Sequence, residues 1–427
     1  MQTHFQALQL KERDVAEADG ILRKCVHCGL CTATCPTYVL LGDELDSPRG
    51  RIYLIKNMLE SGKAPDERTV RHIDRCLTCL SCTTTCPSGV DYMHLVDRAR
   101  ARIEAQYVRP YPERLLRWLL AQVLPRPGLF RLTLLGARLA RPFAALAPGR
   151  LKGLLSMAPD RLPAATGKGT QKIHRVQGER RMRVALLPGC VQKVLDPTIN
   201  AATIRLLNRL GCEVVIAEGS GCCGALTQHM GKDAATKAFV RANVAAWCEE
   251  LHGEGLDAVV INASGCGTTV KDYGHILVDN PKWAKPSLEI SNLALDVTEL
   301  LQRLPFPKVN QPPGLTVAYH AACSLQHGQK VTDLPIQLLR QAGFQVLAIP
   351  EGHLCCGSAG TYNLLQPELA DRLLHRKVGH IEGLLPDVIA TGNIGCMVQL
   401  QRGTAIPVVH TVELLDWATG GPKPPDL

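Results

Sequence analysis

Two stretches of this sequence follow one cysteine pattern: Cys25-Val26-His27-Cys28-Gly29-Leu30-Cys31-Thr32-Ala33-Thr34-Cys35-Pro36 and Cys76-Leu77-Thr78-Cys79-Leu80-Ser81-Cys82-Thr83-Thr84-Thr85-Cys86-Pro87. Each has the order C-x2-C-x2-C-x3-C-P, so that together they supply eight thiols. This order is typical of cysteines that bind [4Fe-4S] clusters. Zinc sites favour well-separated C-x2-C pairs, and disulfides need an oxidising compartment. Neither explains a cysteine triplet that is followed twice by a fourth cysteine and a proline.

The fourth cysteine of each stretch has a separate role in this pattern. In bacterial ferredoxins with two clusters, it binds the cluster that the other stretch holds. The predicted ligands are therefore Cys25, Cys28, Cys31 and Cys86 for one [4Fe-4S] cluster and Cys76, Cys79, Cys82 and Cys35 for the other. Between the stretches, a turn signal at residues 46–51 precedes a segment with helical spacing. We predict a helical two-cluster ferredoxin-type domain over residues 1–108.

Length and composition describe a globular protein of several domains. The chain has 427 residues, of which 46% are hydrophobic and 20% are charged, enough for two to four separate cores. It has no run of eighteen apolar residues, and its first residues lack the apolar segment of a secretory signal. We therefore expect its eighteen cysteines to lie in a reducing cytoplasm and to bind metals rather than form disulfides.

The positive charge of the chain is concentrated in one region. Residues 109–183 carry sixteen Lys or Arg against three acidic residues, so the rest of the chain is net negative although the total is +9. Arginines alternate there with leucines, and we predict a basic helical connector over residues 109–182. Its apolar face either packs on the protein's own domains or lies on anionic lipid or an acidic partner. It has few aromatic residues and matches no nucleic-acid module, so nucleic acid is not predicted as a partner.

The second half of the chain contains an internal duplication. A short apolar strand leads to Cys190, and the next leads to Cys222-Cys223-Gly224; the same features recur 133 residues later at Cys323 and at Cys355-Cys356-Gly357. Short strands that alternate with helices indicate a mainly parallel sheet. We predict two duplicated α/β domains over residues 183–305 and 314–420. The fold class is thus α+β multidomain, with the ferredoxin-type domain first.

Each copy should gather four thiols at one edge of its sheet, because ligands of parallel sheets collect at the carboxyl ends of strands. The two sets are Cys190, Cys222, Cys223 and Cys266 in the first copy and Cys323, Cys355, Cys356 and Cys396 in the second. Adjacent cysteines are too strained for an ordinary disulfide, so we favour a metal or redox role over simple packing. Cys212 and Cys248 lack counterparts and are interpreted as ordinary free thiols.

Two other patterns near these thiols have weaker interpretations. Residues 219–224 match the G-x-G-x-x-G dinucleotide pattern, but the second copy lacks the middle glycine, and a dinucleotide site is therefore disfavoured. His320, His327 and His353 lie close in sequence to Cys323 or Cys355. They could bind or tune a cluster, but we favour hydrogen-bonded neighbours over ligands.

The paired cluster motifs followed by two Cys-Cys-Gly repeats resemble the iron–sulfur subunits of glycolate oxidase (glycolate dehydrogenase), within the wider heterodisulfide-reductase-type group. The resemblance covers nearly the whole chain, including the turn Ser47-Pro48-Arg49-Gly50-Arg51. It implies that separate FAD-containing subunits oxidise glycolate to glyoxylate. This chain then passes electrons toward a membrane quinone pool, is not catalytic alone, and lies on the inner face of the cytoplasmic membrane. Ala263 and Asn393 stand where the family has a further cysteine, which leaves the metal of the repeats open among a cluster, zinc and none.

Three other functions remain open at this point. The chain could be the equivalent subunit of an anaerobic glycerol-3-phosphate or lactate dehydrogenase, since the substrate binds elsewhere. It could be a structural subunit whose repeats hold zinc or no metal and assemble flavoproteins. It could also be a thiol-disulfide reductase that uses the Cys-Cys-Gly sites directly.

Overall fold

The computed structural model describes residues 1–142, 162–163, 172–176, 178–307, 309 and 314–427. Much of the second half of the predicted basic connector, residues 143–161 and 164–171, lies outside the described residues. The N-terminal part is helical, with these six helices: α1 Arg13–Lys24, α2 Pro36–Leu41, α3 Pro48–Ser61, α4 Glu67–Asp74, α5 Ser81–Thr85 and α6 Tyr92–Gln106. Short 3-10 turns occupy Gln9–Lys11 and Glu44–Asp46.

In the turn before α3, the backbone of Gly50 lies very close to that of Glu44. The hydroxyl of Ser47 accepts a hydrogen bond from the Gly50 N–H at 3.0 Å and caps the helix. A Cβ atom at Gly50 would overlap the carbonyl group of Glu44, so only glycine fits there. This approach turns Arg51 inward, where its side chain is 1% exposed and donates to the Thr37 hydroxyl and the His72 carbonyl oxygen.

The described part of the connector forms two helices, α7 (Tyr111–Val123) and α8 (Pro127–Ala140). One face packs on the protein: Leu120 contacts Met230, and Phe130 contacts Val194. The opposite face leaves large apolar side chains in solvent, including Trp118 and Leu132. One apolar face of the described part of the connector is therefore covered by the protein, and another is exposed.

Each copy of the duplication forms a parallel sheet. The strands of the first are β1 Ile173–His174, β2 Met182–Leu186, β3 Cys212–Val215, β4 Ala258–Ile261 and β5 Ala294–Asp296, in the order β1-β3-β2-β4-β5 with only β1 antiparallel. Those of the second are β6 Thr316–Tyr319, β7 Gln345–Ala348, β8 Val388–Thr391 and β9 Val408–His410, in the order β7-β6-β8-β9. The short strands β5 and β9 were not predicted, but the fold class is confirmed.

Helices cover both sheets. In the first repeat they are α9 Val191–Leu195, α10 Thr198–Arg209, α11 Ala225–His229, α12 Asp233–His252, α13 Ser264–Lys271, α14 Tyr273–Ile276, α15 Ala284–Leu293 and α16 Val297–Gln302. In the second they are α17 Leu334–Gln341, α18 Tyr362–Leu365, α19 Pro367–Glu382, α20 Ile394–Gln401 and α21 Thr411–Ala418, with a π-helical turn at Ser324–Gly328.

The two repeats pack on each other with approximate two-fold symmetry. Helix α10 of the first contacts α21 of the second, and α16 of the first contacts α17 of the second. A single apolar core runs through both repeats, from Val184 to Leu415. The ferredoxin-type domain contacts both repeats, so the three units form one body.

A buried histidine joins the ferredoxin-type domain to the first repeat. His94 on α6 lies between Asp91 at 2.6 Å and Asp272 of the first repeat at 2.9 Å, and its ring stacks on His275. Burial alone would lower the pKa of His94, but the hydrogen bonds to the two carboxylates raise it to about 10. The positive imidazolium therefore stabilises this interface.

The raised pKa of His94 predicts a pH-dependent loss of stability. Since the folded pKa lies above the ordinary value, the contribution of His94 is complete below pH 6.5 and lost as the pH rises through about 10. We expect His94→Gln to lower the melting temperature of the anaerobic protein at pH 6, and the difference from the unchanged chain to vanish near pH 10. The matched control is the exposed His252→Gln. A pH-independent difference for His94→Gln would contradict the prediction.

Candidate functional site

The thiols of the first predicted ligand set line one cavity. Cys25, Cys28 and Cys31 follow α1, and Cys86 reaches the same space from the end of α5. Pro48 and Tyr92 complete the wall. The cavity therefore draws three thiols from the first stretch, and from the second it draws Cys86 together with Cys82.

The second predicted set lines a neighbouring cavity with the reverse composition. Its thiols are those of Cys76, Cys79, Cys82 and Cys35. Cys82, Pro48 and Tyr92 line both cavities, so the two spaces share a wall. Four soft sulfur donors around each of two adjoining spaces fit a pair of [4Fe-4S] clusters.

Cations and hydrogen bonds surround the second cavity. Burial would raise the pKa of Cys76, but the guanidinium groups of Arg51 and Arg100 hold it below its usual value. Burial raises the pKa of Cys79 and of Cys82. The Tyr92 hydroxyl donates to the Cys76 sulfur at 3.7 Å. Positive charge and hydrogen bonds to sulfur stabilise the reduced, more negative form of a cluster and so tune its potential.

The first repeat brings its four predicted thiols together. Each follows a strand: Cys190 after β2, Cys222-Cys223 after β3 and Cys266 after β4. The sulfur atoms are neighbours in the order Cys190, Cys222, Cys223, Cys266. Gly224 has φ 91°, a left-handed conformation that favours glycine and lets its N–H donate to the Cys222 sulfur at 3.5 Å.

The second repeat repeats this arrangement. The sulfur atoms of Cys323 and Cys355 are 3.8 Å apart, and Cys356 contacts both Cys355 and Cys396. Gly357 has φ 92° and donates its N–H to the Cys355 sulfur at 3.4 Å. The Cys-Cys-Gly turn therefore serves the same geometry in both copies.

The histidines near the second set differ from each other. His327 is a hydrogen-bonded neighbour, with Nδ1 2.8 Å from the Thr84 hydroxyl and Nε2 3.1 Å from the His353 carbonyl oxygen. His320 is 2% exposed, and among the described residues neither of its ring nitrogens has a hydrogen-bond partner. Burial and the nearby Lys377 lower the pKa of His320 to about 3, so the ring is neutral. The sequence favoured a hydrogen-bonded role for all three histidines, and His320 departs from it.

The second ferredoxin cavity adjoins the second repeat. Cys79 belongs to the same apolar cluster as Cys355 and Cys323, together with Leu77 and Tyr362. The hydrogen bond between Thr84 and His327 crosses the same boundary. Sequence analysis did not predict this contact, because it joins residues more than 240 positions apart.

The thiols of the first repeat lie next to a different part of the protein from those of the second repeat. A pocket beside Cys222 is lined by Arg126, which directly precedes α8, by Leu129 in the first turn of α8, and by Phe239. The two sets of repeat thiols thus have different surroundings, one next to a predicted cluster cavity and the other next to the connector.

These sites define an iron–sulfur protein with a duplicated cysteine-rich domain. Residues 21–90 match the family described as "4Fe-4S dicluster domain", and residues 184–271 and 317–401 match the "Cysteine-rich domain" family. The chain belongs to the family of glycolate oxidase iron–sulfur subunits. It is 44% identical to the "Glycolate oxidase iron-sulfur subunit" of Escherichia coli (strain K12), over 98% of this chain and 99% of the relative.

Other comparisons extend this result. A "Probable glycolate oxidase iron-sulfur subunit" of Bacillus subtilis (strain 168) is 31% identical over 94% of this chain and 95% of the relative. A "Lactate utilization protein A" of Bacillus licheniformis is 27% identical over 55% of this chain and 99% of the relative. The crystal structure of a hypothetical protein from Helicobacter pylori shares the fold, with a TM-score of 0.52 at 9% identity over 97% of this chain and 74% of that one.

Proposed function

We propose that this chain is the electron-transfer subunit of a glycolate oxidase complex. It accepts electrons from FAD-containing subunits that oxidise glycolate to glyoxylate and passes them toward the membrane quinone pool. The observation that carries the proposal is the pair of thiol-lined cavities with a shared wall. Two clusters so close relay single electrons, whereas oxidation of a 2-hydroxy acid needs the hydride acceptor that a flavin supplies.

The proposed ligands follow the two cavities. One [4Fe-4S] cluster is held by Cys25, Cys28, Cys31 and Cys86, and the other by Cys76, Cys79, Cys82 and Cys35. The Cys-Cys-Gly sets are proposed as additional metal or redox sites. On this proposal the second repeat is the next electron acceptor after the second cluster, because its thiols adjoin those of the second cavity.

The connector supports a peripheral attachment to the inner face of the cytoplasmic membrane. The exposed faces of α7 and α8 combine Trp118, Leu132 and Leu139 with the exposed Arg114 and Arg138. Apolar side chains among arginines bind anionic lipid through burial and charge together. In the described part of the chain, no helix has the length and apolar character needed to cross a bilayer.

The experiment uses the chain co-expressed with flavoprotein partners and purified without oxygen. We expect about eight irons and eight acid-labile sulfides per chain from the two clusters alone. Glycolate should reduce a soluble quinone through the complex, whereas the isolated chain should show no activity. Activity of the isolated chain, or a preparation without reducible iron, would overturn the proposal.

The substrate is tested in the same preparation. Glycolate, lactate and glycerol 3-phosphate are supplied separately, each with the complete complex and with the flavoproteins alone. We expect quinone reduction with glycolate to exceed that with the other two. A preference for lactate would reassign the complex while leaving the electron-transfer role intact.

A further inference from the structure

The side chain of His320 is buried without a partner. It is 2% exposed, and within the described residues both ring nitrogens lack a hydrogen-bond partner. A buried polar group left unsatisfied destabilises the fold, and nearly all such groups in folded proteins are paired. His320 directly follows β6, and its backbone N–H donates to the Ala390 carbonyl oxygen at 2.8 Å. The backbone thus fixes the ring in a place where no group of the described residues satisfies it.

Two thiols stand next to this ring. A ring nitrogen of His320 and the sulfur atoms of Cys356 and Cys396 all lie within 4.8 Å of one another. Ligand atoms around a tetrahedral zinc ion lie roughly 3.5 to 4 Å apart, given a Zn–S distance of about 2.3 Å. A small closure of the three groups therefore brings them to bonding distance of one ion.

From this geometry we propose that His320 binds a metal in the second repeat together with Cys356 and Cys396. The metal is one that thiolate and imidazole share as ligands, either a zinc ion or an iron of a cluster. Cys355, which contacts Cys356 but stands outside this group of three, is the thiol available as a fourth donor on this proposal. The proposal does not depend on the electron-transfer function, because a bound zinc ion would satisfy His320 equally well.

The buried charge of the site is balanced. Lys377 is 2% exposed, its ammonium group donates to the Glu351 carbonyl oxygen at 2.7 Å, and it lies close enough to interact with Cys355 and Cys356. Three thiolates, a divalent cation and the Lys377 ammonium carry no net charge together. A neutral set avoids the large desolvation cost of an unpaired buried ion.

The first repeat cannot form the same site. Leu187 occupies the position equivalent to His320. It directly follows β2 and donates its backbone N–H to the Val260 carbonyl oxygen of β4, just as His320 follows β6 and donates to Ala390 of β8. Leu187 is buried and has no ligand atom. The duplication has therefore produced one repeat with thiols only and one with thiols and an imidazole, which predicts different metal binding in the two.

The test measures metal content and metal environment in the full complex, purified without oxygen from medium supplied with iron and zinc. His320→Leu copies the residue of the first repeat, His320→Cys replaces one soft ligand by another, and His327→Asn is the control beside the same site. We expect His320→Leu to lose the metal of the second repeat, either about one equivalent of zinc or the iron above eight, and the other two variants to keep it.

X-ray absorption distinguishes the two metals and remains informative if His320→Leu folds poorly. At the zinc edge we expect nitrogen at about 2.0–2.1 Å beside sulfur at about 2.3 Å, and His320→Cys should remove the nitrogen contribution while keeping the zinc. If the metal is iron, the same loss of histidine coordination should appear in the pulsed EPR spectrum of the reduced cluster. An all-sulfur environment in the unchanged chain, or full metal content in a folded His320→Leu variant, would overturn the proposal.

Discussion

Replacing Cys79 with serine is expected to stop electron transfer from the flavoprotein subunits to quinone in the assembled complex. Cys79 is buried, lines the second cavity and belongs to the same apolar cluster as Cys355 and Cys323 of the second repeat. On the proposed assignment it is a cluster ligand that lies on the side of the second repeat. Mutation of a residue that only hydrogen-bonds to a metal ligand lowers metal affinity or activity by about 10- to 100-fold. The loss of a ligand itself should therefore lower the rate of quinone reduction by at least about 100-fold.

The same variant should lose about four irons, because a [4Fe-4S] cluster depends on four thiolates. Iron content and glycolate-dependent quinone reduction are measured on one preparation, and a dye that accepts electrons directly from flavin checks that the partner subunits remain active. Cys248→Ser is the matched control, since Cys248 lies outside both cavities and both repeat sets. Full iron content with normal quinone reduction in Cys79→Ser would show that Cys79 is no ligand.

Arg51→Met is expected to destabilise the ferredoxin-type domain strongly. The Arg51 guanidinium is almost completely buried and donates to the fully buried carboxylate of Asp46 at 3.3 Å. Its removal leaves that carboxylate with Arg75 and His72 alone and takes a cation away from Cys35 and Cys76. Breaking a buried ion pair by removing one partner costs about 3 to 5 kcal/mol.

The loss of this cation should also affect the neighbouring cluster. A reduced cluster is more negative than an oxidised one, so the second cluster should become harder to reduce in Arg51→Met. Thermal melting without oxygen and a redox titration followed by EPR measure the two effects. Arg49→Met is the control, because Arg49 forms an exposed pair with Glu44 that contributes about 1 kcal/mol or less. Equal melting temperatures and potentials for both variants would refute the role assigned to Arg51.

Sequence alone predicted the units of this protein because its strongest signals are local. Cysteine spacing identified the two stretches, and the exchange of their fourth thiols agrees with the composition of the cavities that Cys35 and Cys86 line. The 133-residue repeat located both Cys-Cys-Gly turns. The ligand assignments and domain boundaries nevertheless remain predictions.

The rest depends on contacts between residues that are distant in sequence. The approach of Cys79 to Cys355 arises from packing of the first domain on the third, and no local pattern encodes it. His320 lies close in sequence to Cys323, but only the fold reveals that no group within the described part of the chain forms a hydrogen bond with its ring. A signal was available there: the duplication aligns His320 with Leu187, and a polar residue where the other copy is apolar marks a site that has diverged.

On the proposed ligand assignment, the shared wall between the two cavities should affect how the clusters are inserted. Since each cavity takes thiols from both stretches, neither stretch can complete its own cage while the other is unfolded. Insertion of the first [4Fe-4S] cluster should fix the two cysteine stretches relative to each other. The four thiols of the second cavity would then already lie close together. Cluster loading should then be cooperative, so that a limited supply of clusters yields chains with two clusters or none and few chains with one.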